Sequence, residues 1–367
     1  MFELIFAPSK TDFLSTQDLL LSPEEFAKQH DLHYITLDLL NVERKKRKEN
    51  FVFIHDGKEI TCKKKIKIFN SYKVPPSWEK VRLTANTKAH LLAIGRDLKN
   101  RRQYIYHPKW HELKGVTKFV KLYGLSKKLP ILRAQVDKDL KLNEFPKNKV
   151  IAIVIMLLEE SHIRVGNRFY TNKNNTYGLC TLRSRHLNFE KDKLIIEFKG
   201  KKGKTNNVTL ENKKLLRLIN RCEEIPGWEL FKYFDKDGNK RNITSSDVNN
   251  YIHDTCGDIF SAKDFRTWSA SLICFTTLKE RIKKGKKDKT KNIIKSIDKA
   301  AKALNNTRAT CRKYYVHPYI IESYEKNNLN QYFEKAEKYK NDQKGLLQPN
   351  EKALQDLLKT YKPKISK

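Results

Sequence analysis

Acidic residues are scarce in this chain. Its 367 residues include 42 Asp+Glu against 76 Lys+Arg, a formal net charge of +34. An excess of this size self-repels and points to a polyanionic partner. Nucleic acid fits best, because each phosphate neutralised by Lys or Arg releases counterions. No apolar run approaches the roughly 20 residues needed to span a bilayer, which sets a membrane aside as that polyanion. The opening stretch, M-F-E-L-I-F-A-P-S-K, has neither the basic n-region nor the long apolar core of a signal peptide, so the expectation is an intracellular, soluble, DNA-associated protein. None of the six cysteines (Cys62, Cys180, Cys222, Cys256, Cys274, Cys311) forms a C-x-x-C pair, and no H-E-x-x-H occurs, so no metal site is expected. The cysteines read as reduced packing residues. No G-x-x-x-x-G-K-[ST] loop is present, so no nucleotide cofactor is expected, and no other cofactor is indicated. The abundance of Lys and Asn also fits an AT-rich coding sequence.

The pattern along the chain changes twice. Residues 1–50 read as an N-terminal extension, with a short capped helix at Leu21 to Lys28 whose N-cap is Ser22 and whose first helical residue is Pro23. Residues 51–112 hold short β-type runs, F-V-F-I-H from Phe51, K-V-R-L-T from Lys80, H-L-L-A-I from His90 and Q-Y-I-Y from Gln103. Turn signals separate them, Asp56-Gly57 and Pro75-Pro76 among them. Residues 113–127 read as a linker, and 128–367 as a larger, mainly helical domain. Within it, Val150 to Glu160 is apolar almost all round and predicts a central buried helix. A β-rich island follows, with strands predicted at Thr181 to Leu187 and Lys193 to Phe198, then a G-K-K-G-K turn from Gly200 and a return at Val208 to Leu210. The segment Arg281 to Lys299 is a solvated basic stretch, either a linker or a DNA-facing arm. The fold class expected is α+β.

Late in the chain, L-N-N-T-R-A-T-C-R-K-Y-Y-V-H-P runs from Leu304 to Pro318 and sets Tyr314 and Tyr315 directly after Arg312 and Lys313. A phenol has a reference pKa of about 10. Neighbouring cations favour its phenolate, so such a tyrosine can attack a phosphodiester. The plain alternative is a basic helix face with two packed tyrosines.

Four segments, taken in order, resemble type IB DNA topoisomerases of the poxvirus and bacterial kind. They are G-R-D-L-K-N-R-R-Q-Y-I-Y-H-P-K-W from Gly95; H-I-R-V-G-N-R-F-Y-T-N-K-N-N-T-Y-G-L-C-T-L-R-S-R-H from His162; F-K-G-K-K-G-K from Phe198; and K-D-F-R-T-W from Lys263 paired with the tyrosine segment. L-Q-P-N-E-K-A-L-Q-D-L-L from Leu347 is similar to the family's closing helix. The likeness spans roughly Val74 to the C-terminus. It implies a small β-rich DNA-clamp domain and a larger α-helical catalytic domain with a small sheet, the fold shared with tyrosine recombinases. It implies a monomer acting as a clamp on duplex DNA. It also implies relaxation of supercoils, independent of ATP and metal, through a transient 3′-phosphotyrosine.

By the same resemblance Tyr315 matches the nucleophile, Arg164 and Arg266 the two catalytic arginines, and Lys201 the hairpin lysine that protonates the leaving 5′-oxygen. Asn306 matches a position that is histidine in poxvirus members and asparagine in bacterial ones. The chemistry suits these residue types. Two guanidiniums offer paired planar donors to the extra negative charge of a phosphorane-like state and stay protonated. An ammonium on a hairpin can reach a leaving oxygen. An asparagine donates a hydrogen bond without titrating. DNA contacts implied are Arg101, Arg102, Gln103, Tyr104 and Tyr106 in the N-terminal domain, and Asn167, Tyr170, Asn174 and Thr176 after Arg164. Asn167 stands where poxvirus members carry lysine.

Singly, each residue has a duller reading. Arg164 could be a surface arginine at a helix end, and Arg266 could stack between Phe265 and Trp268. Asn305 or Asn306 could be an N-cap, Tyr104 and Tyr106 could be sheet packing, and Lys201 has Lys199, Lys202 and Lys204 as neighbours. A tyrosine recombinase is the nearest enzymatic alternative, but Lys263 stands where recombinases carry histidine. A non-catalytic DNA-binding protein of the same fold is the other. The bacterial-like motifs, residue bias and added N-terminal stretch point to a large DNA virus, which would place the protein in the host cytoplasm or the virion.

Overall fold

The computed structural model describes Leu14, residues 18–339 and residues 347–363. Ser22 caps the first helix, α1 (Pro23–Gln29), in a reciprocal capping box with Glu25, as its sequence predicts. A six-stranded antiparallel sheet follows, built from β1 (Val42–Arg47), β2 (Asn50–His55), β3 (Lys58–Glu59), β4 (Glu79–Leu83), β5 (Leu91–Arg96) and β6 (Arg102–Tyr106). Its order is β3-β2-β1-β4-β5-β6. The Asp56-Gly57 pair closes the β2–β3 hairpin with φ of 47° and 75°, the positive values that a two-residue primed turn requires. Helix α2 (Lys63–Ser71) packs Phe69 onto Phe53, and the core continues through Val42, Val81, Leu83 and Ala93.

The stretch expected as an extension therefore supplies an internal strand. β1 reads V-E-R-K-K-R and buries only Val42. Its place between β2 and β4 is fixed by backbone pairing and by Arg44, whose guanidinium donates to the carbonyls of Val74, Pro75 and Trp78 at 2.9, 2.9 and 3.0 Å and lies over the Phe51 ring. Hydrophobic alternation, the usual strand signal, is absent from it.

One long helix, α3 (Pro108–Leu140), includes residues 113–127, the stretch expected as a linker. One compact unit ends at Lys118 and a second runs Phe119–Tyr361. The second is centred on α4 (Lys147–Ser161), buried almost all round, as its apolar run predicts. After α5 (Arg168–Asn174) comes a small sheet, β7 (Leu187–Glu190), β8 (Lys193–Lys199) and β9 (Thr205–Leu210), in that order. The strand expected at Thr181 to Leu187 is replaced by 3-10 turns at 179–181 and 184–186, with only Leu187 entering β7. Their backbone is already committed, with the N–H groups of Leu179 and Cys180 donating to the carbonyls of Arg164 and Val165. The remaining elements are α6 (Lys213–Glu223), the hairpin β10 (Lys232–Phe234) and β11 (Lys240–Asn242), α7 (Ser245–Cys256), α8 (Ala262–Lys283), α9 (Lys289–Ala303), α10 (Arg308–Tyr314), α11 (Pro318–Glu325), α12 (Asn330–Lys338) and α13 (Pro349–Lys359). The basic stretch from Arg281 to Lys299 is thus mostly helical, split by a short turn between α8 and α9.

The ends of α3, α4, α8 and α13 are joined by one ionic cluster. Arg133 reaches Glu159 at 2.9 Å and Glu351 at 2.8 Å, and Trp268 Nε1 donates to Glu351 at 3.3 Å. Buried charges of this kind are tolerated only when paired and hydrogen-bonded. Among the described residues no helix is long and apolar enough to cross a membrane.

Candidate active site

The end of α4 fixes Arg164. The helix stops at His162, which adopts a left-handed conformation (φ 55°) and turns the chain sharply. Two residues past Arg164, Gly166 has φ 83° and abuts Gly178. A Cβ on Gly178 would lie 2.5 Å from the Arg164 carbonyl oxygen, so only glycine fits there. That carbonyl accepts the Leu179 N–H at 2.9 Å. With its backbone clamped, half-buried Arg164 extends Nη2 to Asn306 Oδ1 at 3.2 Å.

Arg266 comes from the opposite direction, on α8, and is only 4% exposed. Its Nη1 donates to the His162 carbonyl and its Nη2 to the Leu304 carbonyl at 2.9 Å. Its Nε has no partner among the described residues. Burial and the nearby Arg164 cation push its pKa down to about 10, partly offset by Tyr315, and it remains a cation at neutral pH.

Tyr315 follows the last residue of α10. Its N–H donates to Cys311 at 2.9 Å, its carbonyl lies 3.2 Å from Ser271 Oγ, and that oxygen also accepts the His317 N–H at 3.0 Å. These contacts hold the half-buried side chain beside Arg266, whose guanidinium carbon is 5.4 Å from the Tyr315 ring centroid. Burial raises the phenol pKa. The charges of Arg266 and Arg164, with hydrogen bonding from both, outweigh it and hold the phenol below its ordinary value. Tyr314 is 45% exposed beside Lys313.

Asn306 sits in the α9–α10 turn with its N–H on the Ala301 carbonyl at 2.8 Å. Neither asparagine of the pair caps α10; Thr307 does. Asn305 instead adopts φ 48° and donates Nδ2 to the Thr205 carbonyl at 2.7 Å, tying this turn to the start of β9. Lys201 lies at the tip of the β8–β9 hairpin and is exposed. A Cβ at Gly200 would meet Asn206 Nδ2 at 2.2 Å, so any larger residue there would displace that side chain. Among the described residues Lys201 makes no hydrogen bond or ion pair. The structure thus gathers Arg164, Arg266, Asn306 and Tyr315, and leaves Lys201 on the hairpin joined to them through Asn305 and Thr205.

His162 is a participant that the sequence reading does not single out. Its carbonyl anchors Arg266, and burial plus the Arg266 charge push its imidazole down to about 4, so the ring is neutral. Its position at a helix C-cap two residues before Arg164 is the only signal available in the sequence. A cavity of about 250 Å³ is lined by His162, Asn206, Arg266 and Asn305.

The residues expected at DNA divide between the two units. On the first, Arg101 and Gln103 both engage the Asp97 carboxylate, at 2.6 and 2.9 Å. The Arg101 guanidinium, in turn, holds Asp97 down at about 2. Arg102 is exposed, and Tyr104 and Tyr106 stack at 6.0 Å on one face of β6, 42% and 41% exposed. They are therefore surface residues, not sheet packing. On the second unit, Asn167 Oδ1 caps α5 by accepting the Phe169 N–H at 2.8 Å, Tyr170 is 57% exposed, Asn174 is exposed, and Thr176 Oγ1 donates to the Tyr170 carbonyl at 3.4 Å.

The chain is similar to known proteins. The family model described as the catalytic core of eukaryotic DNA topoisomerase I matches residues 107–343. The N-terminal domain of bacterial DNA topoisomerase IB matches residues 50–97. DNA topoisomerase 1B of Acanthamoeba polyphaga mimivirus is 32% identical over 296 residues, covering 77% of this chain and 87% of that protein. DNA topoisomerase 1B of Vaccinia virus (strain Copenhagen) is 31% identical over 114 residues, 30% of this chain and 35% of that one. DNA topoisomerase 1 of Rabbit fibroma virus (strain Kasza) is 34% identical over 146 residues, 37% of this chain and 44% of that one. A XerH site-specific recombinase bound to its difH substrate superposes at a TM-score of only 0.30 with 14% identity, over 51% of this chain and 48% of that one. With a family model spanning well over half of its residues, and a mimiviral relative matched along most of both sequences, this chain belongs to the type IB DNA topoisomerases.

Proposed function

We propose that Tyr315 is the nucleophile of this topoisomerase. Its phenolate oxygen attacks a backbone phosphorus of duplex DNA, having released its proton to solvent. The bond from phosphorus to the 5′-oxygen breaks, a 3′-phosphotyrosine forms, and the 5′-oxygen takes a proton from Lys201. The nicked strand swivels, which relaxes supercoils of either sign. The 5′-hydroxyl then returns its proton, attacks the phosphotyrosine and expels the phenolate. One diester is exchanged for another in each direction, so bond energy is conserved and no nucleotide is consumed.

Arg164 and Arg266 hold the non-bridging oxygens as negative charge grows on them. Preorganised donors of this kind contribute on the order of 10²–10³ in rate each. Asn306 orients Arg164 in the free protein and offers its amide to a phosphate oxygen in the complex. The enzyme acts as a monomer. Tyr104, Tyr106 and the Asn167–Thr176 segment contact the duplex beyond the scissile phosphate.

The observation that carries this reading is the convergence on one half-buried phenol of Arg266, 5.4 Å from its ring, with Arg164 held alongside through Asn306, two cations that favour its phenolate. The deciding experiment is relaxation of supercoiled plasmid in EDTA without ATP. Wild type should relax the plasmid, and Tyr315→Phe should bind duplex yet neither cleave nor relax it. Relaxation by Tyr315→Phe would overturn the assignment.

A further inference from the structure

Tyr34 lies before residue 50, outside the stretch that matches the bacterial N-terminal domain. Its position is set by backbone. His33 forms a parallel bridge with Ala89, its N–H donates to Lys88 at 2.8 Å, and its carbonyl accepts from His90 at 2.8 Å. The Ile35 N–H then donates to His90 Nδ1 at 3.1 Å. The result lays the Tyr34 ring flat on the His90 ring, centroids 4.1 Å apart at 13°. His90 is 6.1 Å from the Tyr106 ring, and Tyr106 stacks on Tyr104. Four rings therefore form one connected row, and its three phenols are 38%, 41% and 42% exposed.

Two cations of these segments are already engaged, Lys88 with Asp31 at 2.8 Å and Arg101 with Asp97 at 2.6 Å. Arg102, on the same face of β6 as Tyr104 and Tyr106, is exposed, and Lys114 lies 5.2 Å over the neighbouring Trp110 ring. What the row presents to a polyanion is a line of neutral O–H donors. Burial, with smaller contributions from Tyr104 and Tyr34, raises the pKa of Tyr106, so its hydroxyl is a donor at neutral pH. Adjoining exposed aromatics are a feature that binding surfaces use.

We propose that Tyr34 is a further DNA-contact residue, extending the Tyr104–Tyr106 row by one phenol that donates to a phosphate of the duplex backbone. The proposal rests on the reading of β6 as DNA-facing. A neutral donor displaces no counterion, so its loss changes affinity without changing the slope of log K against log salt.

The test is duplex affinity of the full chain carrying Tyr315→Phe, measured across a salt series. Tyr34→Phe keeps the stack on His90 and removes only the hydroxyl. The dissociation constant should rise about 3- to 10-fold, the range of one hydrogen bond, with an unchanged salt slope. An unchanged dissociation constant overturns the proposal, and so does a slope reduced by about one, which would mean that a cation contact was lost. Tyr104→Phe and Tyr106→Phe, measured alongside, separate the two readings. If they weaken binding and Tyr34→Phe does not, the Tyr34 assignment alone falls. If none of the three weakens binding while the wild-type enzyme relaxes plasmid, the DNA-facing reading of β6 falls and the Tyr34 assignment with it.

Discussion

The guanidinium of Arg266 lies 5.4 Å from the ring of Tyr315 while its other donors hold the carbonyls of His162 and Leu304. One side chain thus joins the end of α4, the end of α9 and the residue after α10. A lysine offers a single ammonium with no planar fork, and it cannot serve two carbonyls and a phenol at once. Arg266→Lys should therefore slow single-turnover cleavage by about 10²- to 10³-fold. Duplex affinity, carried by many other contacts, should change little. A cleavage rate within threefold of wild type would remove Arg266 from the transition state.

The pH dependence of cleavage follows from the same contact. The phenol pKa is lowered because the charges and hydrogen bonds of Arg266 and Arg164 overcome burial. If phenolate attacks, the rate rises with pH until the phenol is fully ionised. Removing one cation raises the phenol pKa, so the rise in Arg164→Ala should move to higher pH, beyond any drop in the plateau. A pre-steady-state pH profile measures both. A profile that drops without moving would mean that Arg164 acts on the phosphate alone.

Much of this arrangement can be read from the sequence, for identifiable reasons. Strands β2, β4, β5 and β6 alternate or run apolar between Gly and Pro turns, and α4 is apolar on every side, so pattern alone predicts them. β1 is hidden because five of its six residues are polar and its place depends on pairing and on Arg44. The stretch from Thr181 to Leu187 carries strand-like composition, but the N–H groups of Leu179 and Cys180 just ahead of it bond the carbonyls of Arg164 and Val165, a contact that no local pattern encodes. The candidate site is legible as an ordered set of motifs. His162 is not, because it contributes a backbone carbonyl and a bend, neither of which depends on a distinctive side chain.

The Arg133 cluster should prove necessary for stability. Glu351 is 3% exposed and neutralises Arg133 together with Glu159. Glu351→Ala removes one of the carboxylates paired with Arg133 and strips Trp268 Nε1 of its acceptor, which should cost about 2–4 kcal/mol. Glu351→Gln keeps the shape and one acceptor and should cost less. Urea midpoints for the three proteins give the order. Equal midpoints for Glu351→Ala and wild type would mean the cluster is solvated in solution.

Two buried imidazoles should make folding acid-sensitive. His162 and His317 are pushed from 6.5 to about 4 and about 3, chiefly by burial. Between those values and 6.5 the unfolded chain binds more protons than the folded one, so stability is full above about 6.5 and falls as pH drops through the window. His317 also caps α11 through Nδ1, accepting the Tyr319 N–H at 3.2 Å. His317→Asn can keep that cap without titrating. Its unfolding midpoint should therefore depend less steeply on pH below 6.5 than that of wild type. An unchanged slope would show that His317 is protonated in the folded state.

Lys201 is the proposed residue that the free structure leaves apart, exposed on the hairpin tip and unpaired among the described residues. A general acid matters only when the leaving group is a poor one. With an ordinary substrate the departing 5′-alkoxide needs a proton, so Lys201→Ala should slow cleavage by about 10²- to 10⁴-fold. With sulfur replacing the bridging 5′-oxygen, the leaving thiolate is stable without one, since a thiol ionises near pH 8.5. Lys201→Ala should then cleave the sulfur-bridged duplex at nearly the wild-type rate, whereas Arg266→Lys should remain slow on both substrates. The contrast separates proton donation from charge stabilisation, because the arginines are proposed to hold non-bridging oxygens, which the sulfur does not alter. If Lys201→Ala were equally slow on both duplexes, the lysine would be positioning the strand, and Lys199, Lys202 and Lys204 would become the residues to examine for the proton.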